Sequence, residues 1–293
     1  MQFTKLTLQD IDTMRPYFAR VTKRTCDSTI GAAFIWRDFY RVEYAFLNDT
    51  LLLKIRIGEC TVFAVPMGED VPGALAALKE SCAAEGHPLL LCSVADEELD
   101  MLRAQFGAIK ITTDPAWADY VYLAEDLKTL SGRKYNGQRN HINYFRRTYP
   151  DYTCEAITPQ NAGELMRFYQ DSGQMDKKET GMFLYEQEKI FEILRNFEAY
   201  GMQGGFIRAG GKIVAFCIGE AVGDTYYCHI EKADTQVRGA YQMIVNETAK
   251  RAAAGVVYIN REEDVGDEGL RQSKMSYHPC FMVRKHLVEI LDE

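Results

Sequence analysis

No stretch of this 293-residue chain stays apolar for the roughly 18 residues that a membrane-spanning helix needs. The longest apolar runs, such as Lys212 to Ile218, have the length of a strand. The amino terminus, Met1-Gln2-Phe3-Thr4-Lys5-Leu6, lacks the apolar core of a signal peptide and reads as the start of a strand. Together these absences predict a cytoplasmic protein. The eight cysteines, at 26, 60, 82, 92, 154, 217, 228 and 280, include no C-x-x-C pair, so buried free thiols are expected and no metal site. Five scattered histidines form no metal-binding pattern such as H-E-x-x-H. Positive charge is also short: 34 Lys and Arg face 42 Asp and Glu, a net charge of −8. A protein binding nucleic acid over its whole surface would be basic, so a polyanion must here be met by a local patch.

The chain does contain a weak internal repeat at a period of about 150 to 170 residues. Phe3 to Asp10, followed by Met14-Arg15-Pro16-Tyr17-Phe18, matches Tyr152 to Pro159, followed by Met166-Arg167-Phe168-Tyr169. Cys60 to Val65, a loop ending at Gly73, a helix from Ala74 to Ala84 and the apolar run Leu89 to Cys92 match Tyr226 to Glu231, a loop ending at Gly239, a helix from Ala240 to Ala254 and Val256 to Asn260. Asp96-Glu97-Glu98-Leu99 and Asp267-Glu268-Gly269-Leu270 each open a further helix. A hairpin is expected at Ala209-Gly210-Gly211-Lys212, and an extra helix over Leu184 to Phe197. The fold class that follows is α/β: two mixed sheets flanked by helices, with a parallel strand–helix–strand crossover in each copy. The expected limits are an N-terminal domain over 1–130, a basic linker helix over 131–150 and a C-terminal domain over 151–293.

A Gly-containing loop between a central strand and a helix resembles the donor loop of the GNAT acyltransferase superfamily, R/Q-x-x-G-x-G/A. The matching segment is Gln236-Val237-Arg238-Gly239-Ala240-Tyr241, which departs from the pattern at Tyr241. The unpaired N–H groups and partial positive charge of a helix's first turn favour an anion there. Gly239 would let a phosphate come close, and Gln236 and Arg238 would add donors. In the first copy the equivalent stretch, Glu69-Asp70-Val71-Pro72-Gly73, places two carboxylates at that point, and Pro72 removes an N–H. The second copy is therefore expected to hold the donor in an electropositive notch at Gly239. A notch filled by side chains, or two halves of unrelated topology, would overturn the transferase reading.

Residues 133–147 carry Arg133, Lys134, Arg139, Arg146 and Arg147 and no acid. On a helix from about 136, Arg139, Asn143, Arg146 and Arg147 share a face that could hold phosphates, while Ile142 and Phe145 turn toward packing. An interdomain helix answering acidic neighbours would look the same. This segment, together with Asn260 to Pro279, resembles a bacterial family similar to the C-terminal, cytosolic domain of phosphatidylglycerol lysyltransferase. The resemblance covers nearly the whole chain. It implies tandem GNAT-like domains, akin to transferases that add amino acids to peptidoglycan precursors, with aminoacyl-tRNA as donor and the basic segment against the tRNA. The lysyltransferases also carry a multi-span membrane domain, which this chain lacks, so a lipid acceptor is in doubt.

An aminoacyl ester or a thioester is already activated, so transfer needs positioning and oxyanion stabilisation more than a covalent intermediate. Strand alternation places Tyr227, His229 and Glu231 on one face, where His229 or Glu231 could act as general base; a satisfied polar row would look alike. Tyr277 could protonate a leaving group or be a core tyrosine. Arg271 and Lys274, three apart on a helix, could bind donor phosphate or face solvent. Asn260 and Arg261 follow a strand end, where α/β sheets place ligands. Glu262-Glu263-Asp264 could attract a cationic acceptor amine or be loop surface. Three readings stay open. The chain is an aminoacyl-tRNA-dependent transferase, or an acyl-CoA-dependent N-acyltransferase, or a non-catalytic protein binding tRNA or another protein. In the first two the donor is a substrate, and no tightly bound cofactor is expected; the acceptor is a small molecule or a lipid.

Overall fold

The computed structural model describes residues 1–171, 181–252 and 254–291. The chain divides into two compact units: Met1–Asp119 with Glu263–Gly266 and Met282 onward, and Tyr120–Glu262 with Asp267–Phe281.

The first unit contains strands β1 (Thr4–Lys5), β2 (Glu43–Leu47), β3 (Thr50–Ile57), β4 (Cys60–Ala64), β5 (Met67–Gly68), β6 (Leu89–Ala95) and β7 (Ile109–Thr113). Its α-helices are α1 (Ile11–Phe18), α2 (Ile30–Ile35), α3 (Val71–Ala84) and α4 (Leu99–Phe106). Two-residue turns link β2 to β3 and β3 to β4. At the first, Asn48 and Asp49 both take left-handed backbone angles, the geometry that matches strand twist in a tight hairpin. Leu52, Leu75, Leu78 and Leu91 are fully buried between α3 and the sheet, each contributing roughly 1.5–3 kcal/mol.

The second sheet contains β8 (Asp119–Leu123), β9 (Thr153–Ala156), β10 (Gln203–Ala209), β11 (Lys212–Val222), β12 (Thr225–Ala233), β13 (Tyr258–Asn260) and β14 (Phe281–Val283), most of it in the second unit. The α-helices of that unit among the described residues are α5 (Ala124–Thr129), α6 (Asn136–Thr148), α7 (Ala162–Asp171), α8 (Gly181–Arg195), α9 (Phe197–Tyr200), α10 (Ala240–Ala252) and α11 (Glu268–Met275). The Gly210-Gly211 hairpin forms as expected, with Ala209 opposite Lys212. The expected helix over Leu184 to Phe197 ends earlier, at Arg195, and Phe197 opens the short α9.

The repeat is real. The first sheet runs β1-β2-β3-β4-β6-β15-β7, where β15 (Lys285–Ile290) is the last strand of the chain, and β5 pairs with β3. The second runs β9-β10-β11-β12-β13-β8-β14. Position by position the two orders agree, and each contains a parallel pair bracketing a helix: β4 with β6 around α3, and β12 with β13 around α10. This is the expected class, two mixed sheets flanked by helices, each with a parallel strand–helix–strand crossover.

The domain limits differ from those expected. Strand β8 and helices α5 and α6 belong to the second unit, and β15 belongs to the first. Each sheet thus takes its sixth-place strand from the other repeat. Strand periodicity specifies which face of a strand is apolar but not which of two like sheets it joins. The expected linker is no linker. Ile142 and Phe145 of α6 are buried, and α6 packs on α10 within the second unit.

Among the described residues no helix is long and apolar enough to cross a membrane. All eight cysteines are free; Cys60 and Cys280 are exposed rather than buried.

Candidate nucleic-acid and donor site

Helix α6 forms one wall of an open cleft of about 650 Å³, lined by Asn140, Asn143, Tyr144, Arg146, Arg147 and Arg238. Asn140, Asn143, Tyr144 and Arg147 recur at the three- and four-residue spacings that align side chains on one helix face. Arg238 reaches the cleft from the loop before α10, its guanidinium 4.5 Å from the centre of the Tyr144 ring. Three guanidinium groups therefore line the cleft and, among the described residues, no carboxylate does. Arg146 has one carboxylate nearby, Glu247 at 3.7 Å. Its Nε is buried and has no hydrogen-bond partner among the described residues. A buried, unsatisfied N–H on a cation costs free energy that an anionic ligand would recover.

The other three basic residues of the segment are placed elsewhere. Arg139 donates to the carbonyls of Leu130 and Gly132 and to the Asn136 side chain, closing the turn that follows α5. Lys134 pairs with Asp126 at 3.4 Å and lies over the Tyr135 ring. Arg133 is exposed and outside the cleft. The expected stripe is thus reduced to Arg146 and Arg147, with Asn143 beside them. Asn140 and Tyr144 were missed, although helical spacing alone could have found them.

The Gly239 loop packs against α6. Gly239 has φ +90°, and a Cβ there would lie 2.5 Å from the His141 carbonyl oxygen and 3.1 Å from Phe145 Cβ. Glycine is required here because the loop lies directly against α6. Any larger side chain at 239 would disturb this packing, so such a variant reports on folding rather than on donor binding. Asp234 already occupies part of the loop, accepting from the Gln236 N–H at 2.9 Å. Ala240 is buried, and Tyr241 is half-buried on α10. In the first unit the expectation holds: Asp70 caps α3 by accepting from the Gly73 N–H at 3.0 Å, a carboxylate standing where a phosphate would.

The expected catalytic face is broken by a β-bulge. Cys217 lies opposite Glu231 and Gly219 opposite Cys228, with a register shift between Ile218 and Gly219. The extra residue on β12 puts Cys228 and Glu231, rather than His229 and Glu231, on a common face. His229 is buried between two carboxylates, Nε2 donating to Glu220 at 3.0 Å and Nδ1 to Glu262 at 2.7 Å. Burial alone would lower its pKa; the hydrogen bonds to Glu220 and Glu262 outweigh that and hold it up at about 10. At neutral pH His229 is an imidazolium with both nitrogens engaged, so it cannot serve as general base. Because its folded pKa lies above the ordinary 6.5, its contribution to stability is full below pH 6.5 and lost as pH rises toward 10. We expect the unfolding free energy from urea titrations to fall across that window by an amount on the order of a few kcal/mol, and His229→Gln to flatten the dependence. An unchanged profile in the variant would assign the effect to other groups.

Parallel pairing of β12 with β13 stops at Tyr227 and Asn260. Beyond that point the protein's own ion pairs occupy the gap. Arg261 donates to Glu231 at 2.6 Å and lies 4.9 Å from the centre of the Tyr277 ring; its Nη1 is buried without a hydrogen-bond partner among the described residues. Burial holds the Tyr277 hydroxyl well above its ordinary pKa. Asn260 is fully buried and accepts from the Glu262 N–H at 2.7 Å, which folds the loop. Lys274 donates to the carbonyls of Arg261 and Glu262, so it braces the same loop rather than a donor phosphate. Arg271 is paired within α11 to Glu268 at 3.8 Å. Two ligand-like groups that sequence spacing hides do assemble: Cys217 with Cys228 and Glu231, and Cys26 with Asp119 and Glu263. Each already holds a protein cation, Arg261 on Glu231 and Lys285 on Asp119 and Glu263.

The family profile described as phosphatidylglycerol lysyltransferase, C-terminal, matches residues 18–289. The chain belongs to that family. A conserved protein of unknown function from Bacteroides thetaiotaomicron is 37% identical, covers 99% of this chain and 100% of its own, and superposes with a TM-score of 0.91. L-PGS from Bacillus licheniformis shares the fold at 14% identity, over 96% of this chain and 92% of that one, with a TM-score of 0.69. An uncharacterised protein of Mycoplasmoides gallisepticum is 22% identical over 200 residues, 66% of this chain and 62% of that protein. The chain thus spans less than two thirds of that curated relative. Within the family fold, α6 is a packed part of the second unit and carries the arginine cleft.

Proposed function

We propose that this protein is a transferase that moves an aminoacyl group from aminoacyl-tRNA to an amine or hydroxyl acceptor by direct transfer, in the cytoplasm. The observation that carries this reading is the cleft on α6, with its three guanidinium groups and the unsatisfied Nε of Arg146. Guanidinium groups pair with phosphate oxygens in bidentate geometry, and the Tyr144 ring offers a face on which an unpaired base of a tRNA end can stack. Membership of the lysyltransferase family supports the same donor.

In the transfer, the acceptor's nitrogen or oxygen forms a bond to the ester carbonyl carbon, and the bond from that carbon to the tRNA's terminal ribose oxygen breaks. The proton lost by the nucleophile ends on the ribose hydroxyl. Of the three residues the sequence offers for proton transfer, His229 is already protonated and Glu231 is bound to Arg261. Tyr277 keeps its proton through neutral pH, as a group returning one to the ribose must, and its carbonyl accepts from Tyr135 at the start of α6.

The test is a donor screen. Purified protein is incubated with a pool of charged tRNAs or with a mixture of acyl-CoAs, in the presence of a small-molecule extract as acceptor. Loss of the aminoacyl ester, with no release of free CoA thiol, is the expected result. Thiol release without ester loss would establish the acyl-CoA reading instead, and tRNA binding with neither reaction would make the chain a non-catalytic binder.

A further inference from the structure

The first unit contains a cavity of about 440 Å³ that the transfer proposed above does not use. Strand pairing accounts for its floor. Ile55 lies opposite Val62, Ile57 opposite Cys60, and Ala64 beside Cys92 on the parallel neighbour, so these six side chains share one sheet face, and all six line the cavity. Leu52, Phe63 and Leu91 belong to the other face, packed with Leu75 and Leu78 of α3. A sheet apolar on both faces is one that is covered on both. On the cavity side the cover is α2, only six residues long, and it contributes Ala32 and Ala33, side chains too small to fill the space. The volume falls within the roughly 300–1,000 Å³ typical of small-molecule sites.

The wall shows what the space suits. The chain has two tryptophans, Trp36 and Trp117, and both line this cavity, together with Tyr40. Aromatic rings pair with one another in stacked or edge-on geometry and gain more than their buried area alone provides. The polar part of the wall comes from a bulge between β6 and β15. Ser93 takes a left-handed φ of +51°, and the register shifts between His286 and Val288. Cys92 and Ser93 therefore both face the cavity, as do Lys285, His286 and Leu287, where regular alternation would turn every second side chain away.

The charges brought there are engaged with one another. Lys285 lies 2.8 Å from Asp27, 2.8 Å from Glu263 and 2.9 Å from Asp119. Lys23 pairs with Glu98 and His286 with Asp96, each at 2.9 Å. Burial pushes the Cys92 thiol up to about 12, so that part of the wall is neutral. A ligand ammonium at this patch would face the Lys285 ammonium, and a ligand carboxylate would face Asp27 and Glu263. Either ion would also give up its water against an apolar wall. A hydroxyl meets neither penalty, and Asp27, with 40% of its side-chain surface open, can accept a hydrogen bond from it.

We propose that this cavity binds an uncharged small molecule built on an aromatic ring and carrying a hydroxyl, with the ring against the tryptophan-lined wall and the hydroxyl at Asp27. The proposal goes beyond the transfer reading and does not rest on it.

Isothermal titration calorimetry of the full chain at neutral pH, without tRNA, tests it. The probes are 3-phenylpropan-1-ol, 3-phenylpropan-1-amine, 3-phenylpropanoate and 1-hexanol, the last an alcohol of similar hydrophobicity with no ring. The aromatic alcohol should bind at least about tenfold more tightly than the amine or the carboxylate, and at least about threefold more tightly than hexanol. Its binding should also change the tryptophan emission excited on the red edge, where the phenyl probes do not absorb. Trp36→Phe and Trp117→Phe each keep a ring in the wall and leave one reporter, and the remaining tryptophan should respond in both. Ala33→Phe, which fills the space without touching the charges, should weaken the alcohol at least about tenfold. Binding of either ion as tight as that of the aromatic alcohol, equal binding of hexanol, emission unchanged in both tryptophan variants, affinity unchanged in Ala33→Phe, or no binding by any probe would overturn the proposal. The probe series on the native chain decides it without any variant. With no tRNA present, these outcomes are independent of the donor screen.

Discussion

Reversing Arg146 and Arg238 together, as Arg146→Glu and Arg238→Glu, is expected to lower affinity for charged tRNA by at least about a hundredfold. A hydrogen bond to a charged group contributes about 1.5–3 kcal/mol, so each guanidinium–phosphate contact accounts for tenfold or more before any repulsion from the new carboxylates. Both residues line the same cleft, and Arg238 is held in place over Tyr144. The salt dependence should change with the affinity, since each phosphate contact removed lowers the log–log slope by about 0.7–0.9. Arg133→Glu with Lys134→Glu is the control. Both side chains lie outside the cleft, so the pair should have a far smaller effect with little loss of slope. Filter binding across a salt series measures both quantities. If the control pair proved as damaging as the cleft pair, the assignment of α6 to the tRNA would fall.

The second large effect is on stability. Lys285→Met should destabilise the protein by about 3–5 kcal/mol, the range found when one partner of a buried ion pair is removed. Lys285 is 4% exposed and sits against Asp27, Asp119 and Glu263, so its loss takes a shared cation away from three neighbouring carboxylates. The pH dependence gives an independent check. In the wild type, Asp27 and Glu263 have folded pKa values below their ordinary ones, so their contribution is present above the ordinary carboxylate range and is lost as pH falls through it. Without Lys285 the sign reverses: repulsion raises the folded values, and acid then relieves the defect. Urea unfolding of wild type and variant at neutral and mildly acidic pH should show the gap narrowing in acid. A loss under about 1 kcal/mol at neutral pH would mean that the cluster is not the buried ionic hub described here.

Much of the architecture was legible because it rests on local signals. The tight turns at Gly58-Glu59, Gly210-Gly211 and Gly223-Asp224 put a glycine where φ must be positive, and the strands on either side alternate accordingly. Asp267 was expected to open α11 and caps it, accepting from the Leu270 N–H; Asp70 caps α3 in the same way, accepting from the Gly73 N–H, so that helix starts at Val71 rather than at the expected Ala74. The basic run in α6 was visible as charge, and its buried side as Ile142 and Phe145. The site was read less well. Arg139, Lys274 and Asn260 have the chemistry of ligand-binding residues, yet their donors and acceptors are spent on backbone groups. The acidic run at 262–264 reads as loop surface and is turned inward: Glu262 to His229, Glu263 to Lys285, Asp264 to the Gly266 N–H.

The sequence by itself determined the repeat, the order of strands and helices, and a local reversal of charge in an acidic chain. These depend on the properties of neighbouring residues, which a linear string records. Only the tertiary structure decided that β8 and β15 complete each other's sheets. It also decided that a bulge separates His229 from Glu231, that Gly239 is needed by α6, and that Asp27, Asp119, Glu263 and Lys285 meet in one ion cluster. Those facts join residues up to 258 positions apart, as Asp27 and Lys285 are, and no periodicity or spacing along the chain encodes which distant charge will face which.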